Sequence, residues 1–186
     1  MLCRVCETKL SKYEKYTKLD FYDKIKESSQ TIGEILKATK LKYNTLKLFQ
    51  LSIIWRASVS SNKMFQNVIL GPHEEKIRLM LINENPGRFF EYCCITNILL
   101  RGKLYCDDLI LSIEHRRWDR HRVYMFVFGG LVWIYVISSH TNQFIFKHYF
   151  LQENGELILV KRDIREIEYI MNSYEDMYKQ GKLNIQ

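Results

Sequence analysis

The residues best equipped for chemistry fall into three short stretches. The densest is Glu114-His115-Arg116-Arg117-Trp118-Asp119-Arg120-His121-Arg122. Arginine presents planar, paired donors that match phosphate and carboxylate, and an indole such as Trp118 stacks on a base or on a guanidinium. Arg116, Arg117, Trp118, Arg120 and His121 are therefore the candidate contacts for nucleic acid or another anion. Histidine beside a carboxylate also suits acid–base work. The stretch holds no nucleophile, no spaced set of carboxylates and no glycine-rich phosphate loop, so binding is expected ahead of catalysis. The plain alternative is a charged hairpin loop with a solvated face.

The second stretch is Cys3-Arg4-Val5-Cys6. Two thiolates at this spacing on a tight turn can meet one zinc ion, but a structural zinc site needs four ligands. Cys93, Cys94 and Cys106 lack the spacing of a second pair. Zinc is thus expected only where another chain supplies the remaining ligands, and otherwise no cofactor. The third stretch is His73-Glu74-Glu75. A zinc-protease helix would need a second histidine at position 77, which is isoleucine. Glu74 and Glu75 instead suit the positive end of a helix dipole, with His73 at a surface or capping position. Arg56 ends an otherwise apolar helix, where burial would demand a carboxylate or several carbonyls. Glu74, Glu75 and Glu84 are its candidate partners, and a structural ion pair is expected ahead of a functional site.

The elements that must carry these residues follow from periodicity. Leu46, Phe49, Ile53 and Ala57 share one helical stripe while Leu48, Leu51 and Trp55 fill the flank. A helix that apolar is buried on more than one face. The run Ser58-Val59-Ser60-Ser61-Asn62 ends it. Gly71-Pro72 opens the next helix, since proline in the first turn loses no needed donor, and Asn85-Pro86-Gly87 closes it. Upstream, lysines alternate with aromatics from Tyr13 to Tyr22, a pattern that can stack on bases. Helical spacing of Tyr13, Tyr16 and Leu19 (or Asp20) makes a core-facing stripe the stronger expectation. Thr31 to Thr39 is a short amphipathic segment.

After Gly87 the pattern suits strands over 89–100, 104–113, 123–128, 131–137, 144–150 and 157–160, with Gly129-Gly130 as a two-residue hairpin signal. Arg162 to Lys179 returns to helical spacing, with Ile164, Ile167, Ile170 (or Met171) and Tyr174 on one side. The expected fold class is α+β: an N-terminal helical half, an antiparallel β meander of five or six strands, and a C-terminal helix. Residues 1–30 form a knuckle turn and basic helix, 31–87 a helical core, and 88–186 the sheet with its closing helix; 30–186 is expected to make one compact unit.

Composition bounds the rest. A net charge of +7 permits a nucleic-acid or acidic-protein partner without requiring one. The longest apolar run, 123–138, is interrupted by Gly129-Gly130 and is too short to cross a bilayer. The N-terminus shows no signal-peptide core, and five cysteines, two of them adjacent, do not form a disulfide framework. A cytoplasmic protein without membrane contact is expected.

The segments LFQLSIIWRASVS and LGPHEEKIRLMLINENPG, taken with LCRVCETKLSKYEKY, resemble a family of uncharacterised bacterial proteins. Its members begin with a His-Asn-His-like (HNH) zinc module: a first Cys-x-x-Cys, a Ser-His with a nearby proline, a second Cys-x-x-Cys, and then this helical segment. The resemblance covers Leu2–Tyr16 and Leu46–Gly87 and fades over the sheet. It implies that Cys3 and Cys6 match the second metal-binding pair, and that Arg56, His73 and Glu74 belong to a shared helical core. The first cysteine pair and the Ser-His element, which carries the general base in HNH nucleases, are missing here. Glu7 stands where those nucleases often have asparagine. The resemblance therefore implies a non-catalytic binding subunit of a bacterial complex, associated with nucleic acid or with phage defence, working with a protein partner or as a homodimer. The alternative is a metal-dependent nuclease whose zinc site is completed in trans, with two copies of Cys3 and Cys6 supplying four thiolates.

Overall fold

Nine of the sixteen residues of helix α3 (Tyr43–Ser58) are buried, including the polar Lys47, Gln50 and Ser52. The computed structural model, which describes residues 4–28, 31–118, 121–141 and 143–168, lays this helix across a β-sheet. Helix α1 (Arg4–Tyr16) continues through a widened, π-helical turn (Thr17–Tyr22) into α2 (Asp23–Lys26). Its buried stripe runs Leu10, Tyr13, Thr17, Phe21, Ile25. The wide turn advances that stripe by four residues at a time, so Leu19, expected on the core face, points to solvent. Helix α4 (Pro72–Ile82) starts behind Gly71, whose φ of 56° suits a residue without a Cβ. It ends in a Schellman closure, with Asn85 N–H donating to the Met80 carbonyl at 2.9 Å and Glu84 held at φ 51°.

The fold is α+β. Strands β1 (Ile35–Ala38), β2 (Cys94–Arg101), β3 (Leu104–Tyr105), β4 (Leu111–Trp118), β5 (His121–Phe128), β6 (Leu131–Ile137) and β7 (Leu157–Asp163) form one seven-stranded sheet. The order is β1-β7-β2-β6-β5-β4, with β3 folded back on β2. All seven residues of β6 are buried, as a central strand covered on both faces requires. Gly129 and Gly130, at φ 60° and 67°, turn β5 into β6, and a Cβ on Gly130 would run into the Tyr105 ring.

Four expectations change. The sheet is mixed rather than an antiparallel meander, because β7 enters beside β2 in parallel after the long 138–156 connection. Part of the 31–39 segment is strand β1, which pairs antiparallel with β7 and caps that side of the sheet. Residues 144–150 are tight turns and a single 3₁₀ turn, with only Phe150 bridging Ile95. Phe144 and Phe150 both turn inward and stack at 5.9 Å, which a regular strand would not allow. Arg162 and Asp163 finish β7, and the Asp163 carboxylate caps a 3₁₀ turn, Ile164–Glu166; the remainder of the expected helix, from 169 on, lies outside the described residues.

Two apolar layers result. The helices cover one face, over Ile98, Trp133 and Tyr135. Irregular chain covers the other, where Phe144, Phe150 and Ile164 pack on Ile95, Val132 and Val136. Among the described residues no helix is long and apolar enough to cross a membrane.

Candidate functional site

The arginine-rich stretch is not a loop. Its residues from Glu114 to Trp118 finish β4, and His121 and Arg122 begin β5, with His115 opposite Tyr124, Arg116 opposite Val123, Arg117 opposite Arg122 and Trp118 opposite His121. Asp119 and Arg120 lie outside the described residues. Side chains alternate across a pleated strand, so the stretch divides. His115, Arg117, Arg122 and Tyr124 share the helix-side face, while Arg116, Trp118 and His121 share the other. Strand β4 is the last in the sheet order, so both sets sit at an edge.

On the helix side, Arg117 and Arg122 stand directly across from each other. Like charges in that position repel. Arg122 donates to the Ile69 carbonyl in the loop before α4. The Tyr124 hydroxyl donates to the same carbonyl at 2.8 Å and accepts the Ile69 N–H at 2.9 Å. This clamp draws the first turn of α4 to the sheet and brings His73 into the group. His73 packs edge-on against Tyr92 at 5.6 Å, with Nδ1 3.2 Å from the Tyr92 hydroxyl. Burial, then the charges of Lys76 and Arg122, holds its imidazole below the ordinary histidine value. Arg117 itself is exposed and forms no side-chain ion pair within the described residues.

The other side is aromatic. Trp118 stacks on Phe144 at 6.5 Å and leans on Phe146 at 5.7 Å, and His121 meets Phe144 edge-on at 5.8 Å. Phe146 and Ile145 are exposed beside them. Arg116 is held by Glu114 at 2.7 Å, so its charge is partly matched.

The remaining predicted residues lie apart from this edge. Arg56 pairs with Glu14 of α1 at 2.8 Å rather than with Glu74, Glu75 or Glu84. The packing of α1 against α3 supplies that carboxylate, whereas Glu75 is taken by Arg78 and Glu84 by Lys9. Glu74 sits in the first turn of α4, at its positive end. Cys6 lies in helix α1 rather than on a tight turn, and Cys3 falls outside the described residues. Among the described residues no three His, Cys, Asp or Glu groups converge as a metal site. Sequence reasoning missed Lys76 and Phe146; their nearness to the edge depends on the Ile69 clamp and on the inward turn at Phe144, neither of which leaves a local signal.

No family model, curated protein or solved structure matches the chain.

Proposed function

We propose that this chain is a binding module for single-stranded nucleic acid, a subunit that holds the strand for a protein partner rather than a catalyst. The observation that carries this reading is the Arg117–Arg122 cross-strand pair, with Lys76 and His73 beside Arg122. A phosphate set between two guanidiniums turns their repulsion into paired, charge-assisted hydrogen bonds. Trp118 and the exposed Phe146 on the opposite side of the same edge offer rings on which bases stack without regard to sequence. An edge strand lets one backbone pass between these two surfaces, which a stiff duplex would not do. The partner, a second protein or a second copy of this chain, comes from the resemblance, as does zinc bound through Cys3 and Cys6 with ligands supplied in trans.

Fluorescence anisotropy with labelled single- and double-stranded oligonucleotides tests the proposal. Single strands should bind more tightly than duplex, and Trp118→Ala should weaken them by roughly 1–3 kcal/mol if one base stacks there. Equal affinity for Trp118→Ala and the parent, or no binding at low salt, would remove the reading.

A further inference from the structure

The irregular chain on the second sheet face does not close all of it. A trough of about 370 Å³ remains, with Asn97, Met125, Val132 and Ile134 as its floor and Arg116 and Arg162 at its sides. These six residues come from the adjacent strands β7, β2, β6, β5 and β4. The trough therefore runs across the strands, over about 19 Å at the usual strand spacing. Strand register agrees: Met125 lies beside Ile134 and Val132 beside Asn97, all on one face. Met125 and Asn97 are only half-buried, although both stand on interior strands. A face meant for water alternates toward polar residues, and this floor is mostly apolar.

The chain itself leads into this trough. Ile167 and Glu168 line its β7 end, and the backbone at Glu168 is already helical. Eighteen residues follow, 169–186. Their sequence carries Ile170, Met171, Tyr174 and Met177 at helical spacing, in line with Ile164 and Ile167. From Tyr169 to Tyr178 it holds two acids, Glu175 and Asp176, and no cation. The charges of the trough are ordered too. Glu166 and Glu168 stand at its β7 end beside Arg162, and Arg116 stands at its β4 end. A helix entering at Glu168 would set its positive end on the two glutamates and its own acids toward Arg116.

From this match we infer that the trough seats the chain's own C-terminal segment, 169–186, as an amphipathic helix laid across the strands. Met171 and Tyr174 cover the floor at Met125 and Ile134, and Glu175 and Asp176 face Arg116. Length favours this occupant. At 1.5 Å per residue, about thirteen helical residues cross from β7 to β4, and eighteen are at hand. No linker has to be spanned, because the segment starts at the trough's own wall. Attachment gives it an effective concentration in the millimolar range, so a separate helix of equal affinity competes poorly. Seated this way, the segment takes up the Arg116 side of the β4–β5 edge and leaves Arg117 and Arg122, on the opposite face, uncovered. The inference does not depend on what that edge binds.

The test places a photo-crosslinker in the full chain, as Tyr174→benzoylphenylalanine, one aromatic for another. Irradiating an equal mixture of ¹⁴N- and ¹⁵N-labelled protein separates crosslinks within a chain from those between chains, as read by mass spectrometry. Crosslinks within one chain to the peptides that carry Met125 or Ile134 are expected. Reversing the acids, Glu175→Lys with Asp176→Lys, should lower their yield roughly two- to fivefold, the worth of exposed ion pairs. Met171→Asp should abolish them. A second readout needs no crosslinker: the Met125 methyl resonance of the otherwise unaltered chain should shift in Met171→Asp. Crosslinks of mixed isotope would give the trough to a second copy of the chain. Crosslinks only to other peptides, or a Met125 methyl unmoved by Met171→Asp, would leave it to a separate partner. Either result overturns the inference.

Discussion

Lys47 and Arg117 are both cations on elements that touch one sheet, and the molecule treats them in opposite ways. Lys47 is 1% exposed, and the acceptor it finds is the Tyr92 carbonyl at 3.1 Å. Tyr92 is itself held at φ 46°, a conformation unfavourable for a bulky residue. It is fixed there by its N–H donating to Ser138 at 2.7 Å, by Lys47, and by His73 at its hydroxyl. Burial lowers the Lys47 ammonium from its ordinary value, so the interior accepts this lysine by weakening its charge. Arg117 stands exposed at a sheet edge, across from another arginine. Lys161 is an intermediate case: equally buried, but met by Glu34 at 2.6 Å. A cation left exposed beside a like charge is available to a ligand, and one buried without a counter-charge is part of the framework.

The largest expected effect separates framework from edge directly. Leu51→Ala empties a fully buried position on α3 and should cost about 2–5 kcal/mol in urea unfolding. Arg117→Ala should move the same midpoint by no more than about 0.5 kcal/mol. Similar losses for both would erase the distinction.

Next comes the pH dependence of stability. The folded pKa of Lys47 lies below its ordinary value of 10.5. The unfolded chain therefore binds the extra proton between those two values, and stability rises with pH across that window, by about 1.4 kcal/mol per unit at most. Cys93 and Cys94 act the other way. Burial raises the Cys93 thiol to about 11 and pushes the Cys94 thiol up as well, so their contribution falls away as pH climbs above the ordinary 9.0. Lys47→Met should lose the rise and keep the alkaline fall, as followed by urea midpoints across the pH range. A rise of equal size in the variant would show that Lys47 is not its source.

His73 sharpens the comparison from the edge side. Its lowered pKa leaves it neutral near pH 7, whereas a bound phosphate favours the protonated ring. Affinity for a single strand should therefore increase by roughly two- to fivefold, the size of an exposed ion pair, as pH falls below 6.5. In His73→Phe that increase should vanish, as measured by anisotropy. The smallest effect is local: Glu84→Gly relieves the left-handed residue that closes α4 and should stabilise by about 0.5 kcal/mol. The exposed Lys9–Glu84 pair that it removes is worth little.

Much of the framework was legible in local pattern. The apolar run of α3, the Gly-Pro start of α4 and the Gly129-Gly130 turn each leave a signal within a few residues, and each is found where the pattern put it. The parallel pairing of β7 with β2 joins residues more than sixty positions apart, and nothing near either strand records it. Strand β1 is four residues long and borrows its order from β7, so its own sequence is ambiguous. At the edge, the charge of residues 114–122 was visible, but its division between two faces depends on strand register. Lys47 was hidden for the opposite reason: inside LKLFQL it reads as an interruption of an apolar helix, and only burial from every side reveals its cost.

The most direct test of the edge as a nucleic-acid surface is the salt dependence of single-strand binding, compared between the parent and an Arg117→Ala, Arg122→Ala double variant. If both arginines neutralise phosphates, the slope of log affinity against log salt should become shallower by about 1.4 in the variant. Identical slopes would place the phosphate contacts elsewhere, and failure of the parent to bind at low salt would contradict the account outright.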